Sequence, residues 1–245
     1  MSALLVTTGV HTIPGSGRET GAYASEVAES WQELTVAGHR VDLVTVGGGA
    51  VPLEALDSGD PTQRALLADP RMAGLLADAP PIAAQRGGHH DIVLLAGGHG
   101  AACDLPDDAD LAAILVAGYE RGGVVASVCH GAAGLLGARL SDGTPLVAGR
   151  RVAAFSDDEE RAVGMLGSMP YLLSDALTRL GAYHDFGAPF LPHVIVDDRL
   201  VSGQNPASTR GVARAAVAAA GTPSGATREE GRAWTALSQP SQRPR

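Results

Sequence analysis

Residues 122–131, Gly122-Gly123-Val124-Val125-Ala126-Ser127-Val128-Cys129-His130-Gly131, run straight into the helix-like segment AAGLLGARL at 132–140. A Val-rich run opened by two glycines reads as a strand buried on both faces, and the helical pattern that follows leaves no room for a loop. The strand therefore stops at Cys129. At such a strand-turn-helix corner the side chain is held up at the carboxyl edge of the sheet, where open α/β folds place their ligands. A helix N-terminus adds partial positive charge, so the expected effect on the thiol is a lowered pKa, with His130 within reach of the thiolate. The plain alternative is a small cysteine closing a core strand, and the triplet alone does not decide between them.

Working outward, apolar runs recur at Ala3 to Val10, Val41 to Val46 and Ile92 to Ala96. Helical patterns alternate with them. Val27, Trp31 and Leu34 stand at i, i+4, i+7 before Gly38, which predicts a helix over about 23–37. Further helices are predicted for 107–121, 131–140, 170–180 and 206–220. The alternation predicts an α/β fold, a flavodoxin-like doubly wound and mostly parallel sheet sandwiched by helices, with Cys129 on a nucleophile elbow. Residues 51–90 read as an excursion over the strand ends, with a helix at about 62–77. Two segments, 146–155 and 194–202, have turn-like centres between β-prone flanks and are predicted to be hairpins. Residues 1–220 are expected to form one domain, and the Pro-, Ser- and Gly-rich segment 221–245 a disordered tail.

Composition removes several classes of function. The 18 cationic side chains are all arginine, which excludes Schiff-base lysines, pyridoxal-phosphate enzymes and the P-loop lysine. A net charge of −9 argues against nucleic acid as a partner. No apolar run reaches the ~20 residues of a membrane span and no signal peptide is recognisable, so no membrane partner and a cytoplasmic location are expected. Cys103 and Cys129 are too few for a disulfide framework, and neither belongs to a metal-binding CxxC pair. No metal and no cofactor are therefore expected.

The loop Gly97-Gly98-His99-Gly100 closes another buried strand. Its glycines let backbone N–H groups approach a ligand, so it can supply one oxyanion donor while the His130 N–H supplies a second, although a tight turn explains a lone GGHG equally well. His99 alone is ambiguous, and Cys103 reads as a packed thiol. Glu26, Glu29 and Glu33 share one helical stripe, whose default is a solvated face. Asp157, Asp158, Glu159 and Glu160 read first as an acidic helix start that complements the macrodipole.

Taken together, Thr20-Gly21 with Glu26, AGHRVDLVTVGG, AGGHGAACDLP, GGVVASVCHGAAGLL, AFSDDEERAVG and DRLVSGQNPAS resemble the ThiJ/PfpI branch of the class I glutamine amidotransferase-like superfamily. Within it they are most similar to the heat-shock chaperone and glyoxalase III subgroup. The resemblance implies Cys129 as nucleophile, His130 as its partner, Glu160 as the acid orienting the histidine, and Glu26 as an acid/base carboxylate beside the thiol. Gly98, His99 and Gly100 would line the oxyanion and substrate site. The implied reaction is cofactor-free conversion of a small reactive dicarbonyl, methylglyoxal, with water to lactate, in a homodimer. A holdase chaperone or redox-sensing protein, and a cysteine hydrolase or deglycase, are the alternatives. Two departures stand out: Ala132 takes a place where the family often has proline, and the Gly-x-Cys-x-Gly and late His-x-Glu elements of true amidotransferases are absent, which disfavours amide transfer.

Overall fold

The computed structural model describes residues 1–221. Six strands, β1 (Ser2–Thr7), β2 (Arg40–Thr45), β3 (Ile92–Leu95), β4 (Val124–Val128), β5 (Val194–Asp197) and β6 (Leu200–Gly203), form one sheet in the order β2-β1-β3-β4-β6-β5. All neighbours are parallel except β5, which returns antiparallel on β6 as the expected hairpin at 194–202. Strand alternation divides the interior into two cores. Ala3, Leu5, Leu43 and Leu94 face α1 (Ala24–Val36), α2 (Pro61–Ala68), α3 (Pro70–Ala77) and α7 (Thr209–Ala220). Leu4, Val6, Leu95 and Val125 face α4 (Ala109–Glu120) and α6 (Leu173–Arg179). A further helix, α5 (Asp157–Ala162), is short and stands beyond the carboxyl end of β4. The doubly wound reading holds, with helices covering both faces.

Three local expectations are corrected. The helix at 62–77 is two helices broken at Asp69-Pro70: Pro70 cannot continue α2, and Asp69, accepting from the Met72 N–H at 2.9 Å, caps α3 instead. Residues 146–155 are not a hairpin. Leu146 and Val147 are drawn into the core, and Arg151–Val152 pairs in parallel with Tyr183–His184. The helix at 131–140 is a 3₁₀ helix over Cys129–Leu135, wound tightly because its glycines lie against β3. Beyond Gly221 the expected tail lies outside the described residues. Among the described residues no helix is long and apolar enough to cross a membrane.

Glycine packing locks the Cys129 corner to β3. A Cβ on Gly131 would stand 2.3 Å from the Leu95 carbonyl oxygen, a backbone atom that cannot yield cheaply. Gly118, inside α4, has open space around the same position. The two substitutions should move stability in opposite directions. Gly131→Ala is expected to cost about 3 kcal/mol, and Gly118→Ala to add about 0.5–1 kcal/mol. Urea unfolding of both variants measures the difference, and equal destabilisation would contradict this packing.

Candidate active site

Val128 ends β4 in extended backbone, and Cys129 turns to φ +56°, a left-handed conformation rare for a side chain other than Gly, Asn or Asp. Its surroundings enforce it. A Cβ on Gly97 would meet the His130 nitrogen and Val128 oxygen at 2.8 Å, so only glycine lets the 97–100 loop lie against the corner. Gly98, at φ +98°, would place a Cβ 2.0 Å from the Gly21 carbonyl oxygen. The backbone N–H groups of Gly98 and His130 act on the Cys129 thiol, each pulling its pKa down. Gly100 does not join them: it packs toward the Val10 carbonyl and shapes the loop from behind.

Glu26, in the first turn of α1, is fully buried, contrary to the solvated-stripe reading. The other members of the stripe are held elsewhere, Glu33 by Arg210 and Arg214 at 2.8 Å and Glu29 by Arg210 at 3.4 Å. Glu26 Oε2 accepts the Gly97 N–H at 2.6 Å, while Oε1 is buried without a hydrogen-bond partner. Burial pushes this carboxyl up to about 8, and the nearby Glu54 and Glu29 charges add to the shift against the pull of the Gly97 N–H. Glu26 is therefore protonated at neutral pH.

The thiol departs from the lowered pKa expected of a helix N-terminus. Cys129 is 4% exposed, and burial raises it, the more so once Glu26 ionises, against the pull of the His130 and Gly98 N–H groups. Complete desolvation outweighs the dipole of a seven-residue 3₁₀ helix. The resting sulfur is a neutral thiol beside a neutral acid.

His130 Nδ1 lies 3.4 Å from Cys129 Sγ, and its Nε2 lies 2.6 Å from Glu160 Oε1. Burial lowers the pKa of His130. For Glu160 burial acts upward, but hydrogen bonds from His130 and then His99 overcome it and hold the carboxylate at about 2. The anionic Glu160 takes the Nε2–H, which leaves Nδ1 as an acceptor facing the thiol. His99 Nε2 reaches the other Glu160 oxygen at 3.3 Å, and its ring lies 4.2 Å from that of His130. Phe155 covers the pair, 4.8 Å from His130 between ring centroids. His99, His130 and Glu160 are also the one set of ligand-type side chains, among the described residues, whose donor atoms come within 4.8 Å of one another. They are where a cation would bind. As built, both carboxylate oxygens are engaged by the imidazole nitrogens.

The site thus brings together Cys129, His130, Glu26, Glu160, Gly98 and His99. Cys103 stays outside, half-buried, with its sulfur 3.9 Å from the His99 carbonyl. Sequence reading missed Glu54 and Tyr23. Glu54 accepts from Thr20 Oγ1 at 3.3 Å, and burial raises its carboxyl against the pull of the His99 charge. Tyr23 is raised by burial and by the charges of Glu26, Cys129 and Glu54. Both lie in a two-residue strand pair, Ala22–Tyr23 with Leu53–Glu54, too short to leave a periodic signal.

A strained cysteine at a strand-to-helix corner, a His–Glu pair behind it and a protonated carboxyl across from it define an α/β protein of the cysteine-elbow class. Residues 19–219 match the DJ-1/PfpI family, and the chain belongs to that family. It is 38% identical over 136 residues to a probable glutathione-independent glyoxalase of Schizosaccharomyces pombe, a match that takes in 52% of each chain. A second glutathione-independent glyoxalase of that yeast is 27% identical over 223 residues, 82% of this chain and 88% of the relative. Where identity exceeds 30%, the chain spans about half the length of the curated relatives it matches. The rapid encystment protein of Francisella tularensis superposes with a TM-score of 0.85 at 26% identity, covering 91% of this chain and 100% of that one.

The raised carboxyl of Glu26 makes a testable statement about stability. Below the unfolded value of about 4.3 both states hold the proton and the group contributes no pH dependence. As pH rises from there, the unfolded chain releases the proton while the fold retains it, so the fold loses stability until Glu26 itself ionises near 8. Glu26→Gln should match the wild type near pH 4 and exceed it by on the order of 2–5 kcal/mol at pH 8.5, measured by denaturant unfolding at both pH values. A difference that does not change with pH would mean that Glu26 is already ionised in the fold.

Proposed function

We propose that this protein is a glutathione-independent glyoxalase that converts methylglyoxal and water to lactate, with Cys129 as nucleophile. The observation that carries the reading is the protonated Glu26 carboxyl facing the thiol. Aldol-like or acyl chemistry on a cysteine needs one base, and His130 fills that role. An internal redox shift between two adjacent carbons needs a second group able to give and take a proton, and a carboxyl poised near 8 is suited to both. Similarity to named glyoxalases supports the same conclusion.

In the proposed cycle the sulfur attacks the aldehyde carbon C1 and its proton passes to His130 Nδ1, with Glu160 stabilising the imidazolium. The N–H groups of Gly98 and His130 flank the developing oxyanion, which takes the Glu26 proton and becomes a hemithioacetal. The Glu26 carboxylate then removes the C1 hydrogen while imidazolium protonates the C2 oxygen, giving an enediol. Glu26 returns the proton to C2, and His130 accepts the proton of the C1 hydroxyl, leaving a lactyl thioester on Cys129. Water, deprotonated by Glu26, adds to the thioester. The sulfur leaves with the His130 proton, and lactate, thiol and protonated Glu26 are restored. No electrons enter or leave overall. By the family likeness the proposed assembly is a homodimer and the proposed location the cytoplasm.

Purified protein should form lactate from methylglyoxal without added thiol. Cys129→Ala should lose at least a thousandfold in kcat/KM, and Glu160→Gln about tenfold to a hundredfold in kcat. Equal consumption by wild type and Cys129→Ala would remove the assignment. Suppressed client aggregation in both proteins without lactate would favour the holdase reading, and an acyl-enzyme from an amide substrate the hydrolase reading.

A further inference from the structure

Helix α5 turns two adjacent carboxylates inward, and the chemistry above uses one of them. The other, Glu159, is fully buried, and both of its oxygens are filled by donors. Oε2 accepts from the Ser156 N–H at 2.9 Å, the Ser156 hydroxyl at 2.8 Å and Gln204 Nε2 at 3.0 Å. Oε1 accepts from the Phe190 N–H at 2.7 Å and Asn205 Nδ2 at 2.8 Å. Every one of these donors is neutral. A buried anion held by five dipoles stands in one orientation, because each lost partner leaves a desolvated charge unsatisfied.

The donors come from three separate pieces of chain. Ser156 caps α5, the six-residue helix that carries Glu160 and is too short to hold a direction unaided. Gln204 and Asn205 follow β6, the strand beside the Cys129 strand. Phe190 sits in the 185–193 loop with φ +60°, a conformation a bulky residue keeps only where its surroundings over-determine it. The same residues fasten the loop along its length. Gln204 Oε1 accepts the Gly187 N–H at 2.7 Å, Asn205 Nδ2 donates to the Leu191 carbonyl at 2.8 Å, and the His193 N–H donates to Ser208 Oγ at 3.0 Å. The Phe190 ring then lies 6.5 Å from Phe155, the ring that packs on His130 and on His99.

We infer that Glu159 is a positioning residue for the His130–Glu160 pair: by tying Ser156, Phe190, Gln204 and Asn205 to one buried anion, it fixes the direction from which Glu160 meets His130 and seats the 185–193 loop behind Phe155. A carboxylate is required for this. A glutamine would aim an NH₂ at two donors on one side or three on the other, and the backbone N–H groups of Phe190 and Ser156 cannot turn away. The activity readout of this inference rests on the proposed function, whereas the other two readouts do not.

The test uses full-length Glu159→Gln. First, alkylation of Cys129 by iodoacetamide, followed by mass at that peptide, is measured against pH without substrate. Glu160 holds the Nε2–H and so keeps Nδ1 an acceptor facing the neutral thiol; a loosened Glu160 frees the ring to turn from the sulfur, so the inflection should fall by half a unit or more with Glu26, His99 and Glu160 all still facing the pair. Second, backbone amides over 187–193 should exchange hydrogen at least tenfold faster, with the β1, β3 and β4 amides unchanged. Third, kcat for methylglyoxal should fall tenfold or more while KM stays within threefold. A merely structural role would lower thermal stability and leave the alkylation profile where it was. A folded Glu159→Gln with wild-type alkylation profile and kcat overturns the inference. Should that variant not fold, Asn205→Ala removes one donor to Oε1 and should shift the same readouts in the same direction by a smaller amount; no shift overturns the inference equally. Wild-type protein that forms no lactate while Glu159→Gln still shifts the alkylation profile refutes the glyoxalase reading and leaves this one standing.

Discussion

The left-handed backbone of Cys129 is the constraint from which the site's geometry follows. A residue with a Cβ in that region is unfavourable on its own, so the conformation survives only where neighbouring backbone leaves no alternative. Here Gly131 presses on the Leu95 carbonyl from one side, and Gly97 and Gly98 press on the corner and on Gly21 from the other. That closeness aims the N–H groups of Gly98 and His130 at the sulfur and brings the Gly97 N–H to Glu26. The strain at one residue and the placement of the acid are thus consequences of the same close packing between two strand ends.

That packing also decides the charge state. An exposed elbow cysteine would be a thiolate drawn down by the helix dipole and a protonated histidine. In this chain burial acts on thiol, imidazole and Glu26 together, each toward its neutral form, and Glu160 alone stays charged because two imidazoles hydrogen-bond to it. At neutral pH the thiol, the imidazole and Glu26 therefore all stand in their neutral forms. A buried, neutral thiol is a poor match to a redox sensor, whose cysteine must be ionised and open to solvent.

Much of the fold was legible because buried parallel strands and glycine punctuation are local signals. The Val124–Val128 run, the Cys129 corner, the 23–37 helix and the 194–202 hairpin all depend on near neighbours in sequence. The failures were of two kinds, one where distant contacts rule and one where a local signal was passed over. Leu146 and Val147 look like a hairpin flank until the core claims them, and the Pro70 break in the 62–77 helix is a local signal that the periodicity masked. The site divides in the same way. His130 follows from adjacency to Cys129, but Glu26 shares its helical stripe with Glu29 and Glu33. Only the 97–98 loop, 71 positions away, marks it as the buried one. Glu160 came through family resemblance, and Glu159, its neighbour, was hidden inside an acidic run whose four members end in four environments: Asp157 accepts from the Ser174 hydroxyl, Asp158 pairs with Arg161 on the surface, Glu160 with the imidazoles, and Glu159 with five neutral donors.

The arrangement of protons separates the enzymatic readings from one another. A cysteine hydrolase breaks an acyl bond with one base that shuttles between nucleophile and leaving group, and for it His130 with Glu160 is sufficient. A second carboxyl buried against the sulfur has no proton to move in that chemistry, and once ionised above about pH 8 it raises the thiol that must attack. For a carbon-to-carbon hydrogen shift the same carboxyl is indispensable, because the hydrogen removed from C1 must wait on a group of matched acidity within reach of C2. Under the proposed function, the cost of burying Glu26 without a cationic partner is offset by the use of its proton in a carbon-to-carbon hydrogen shift at a covalent cysteine.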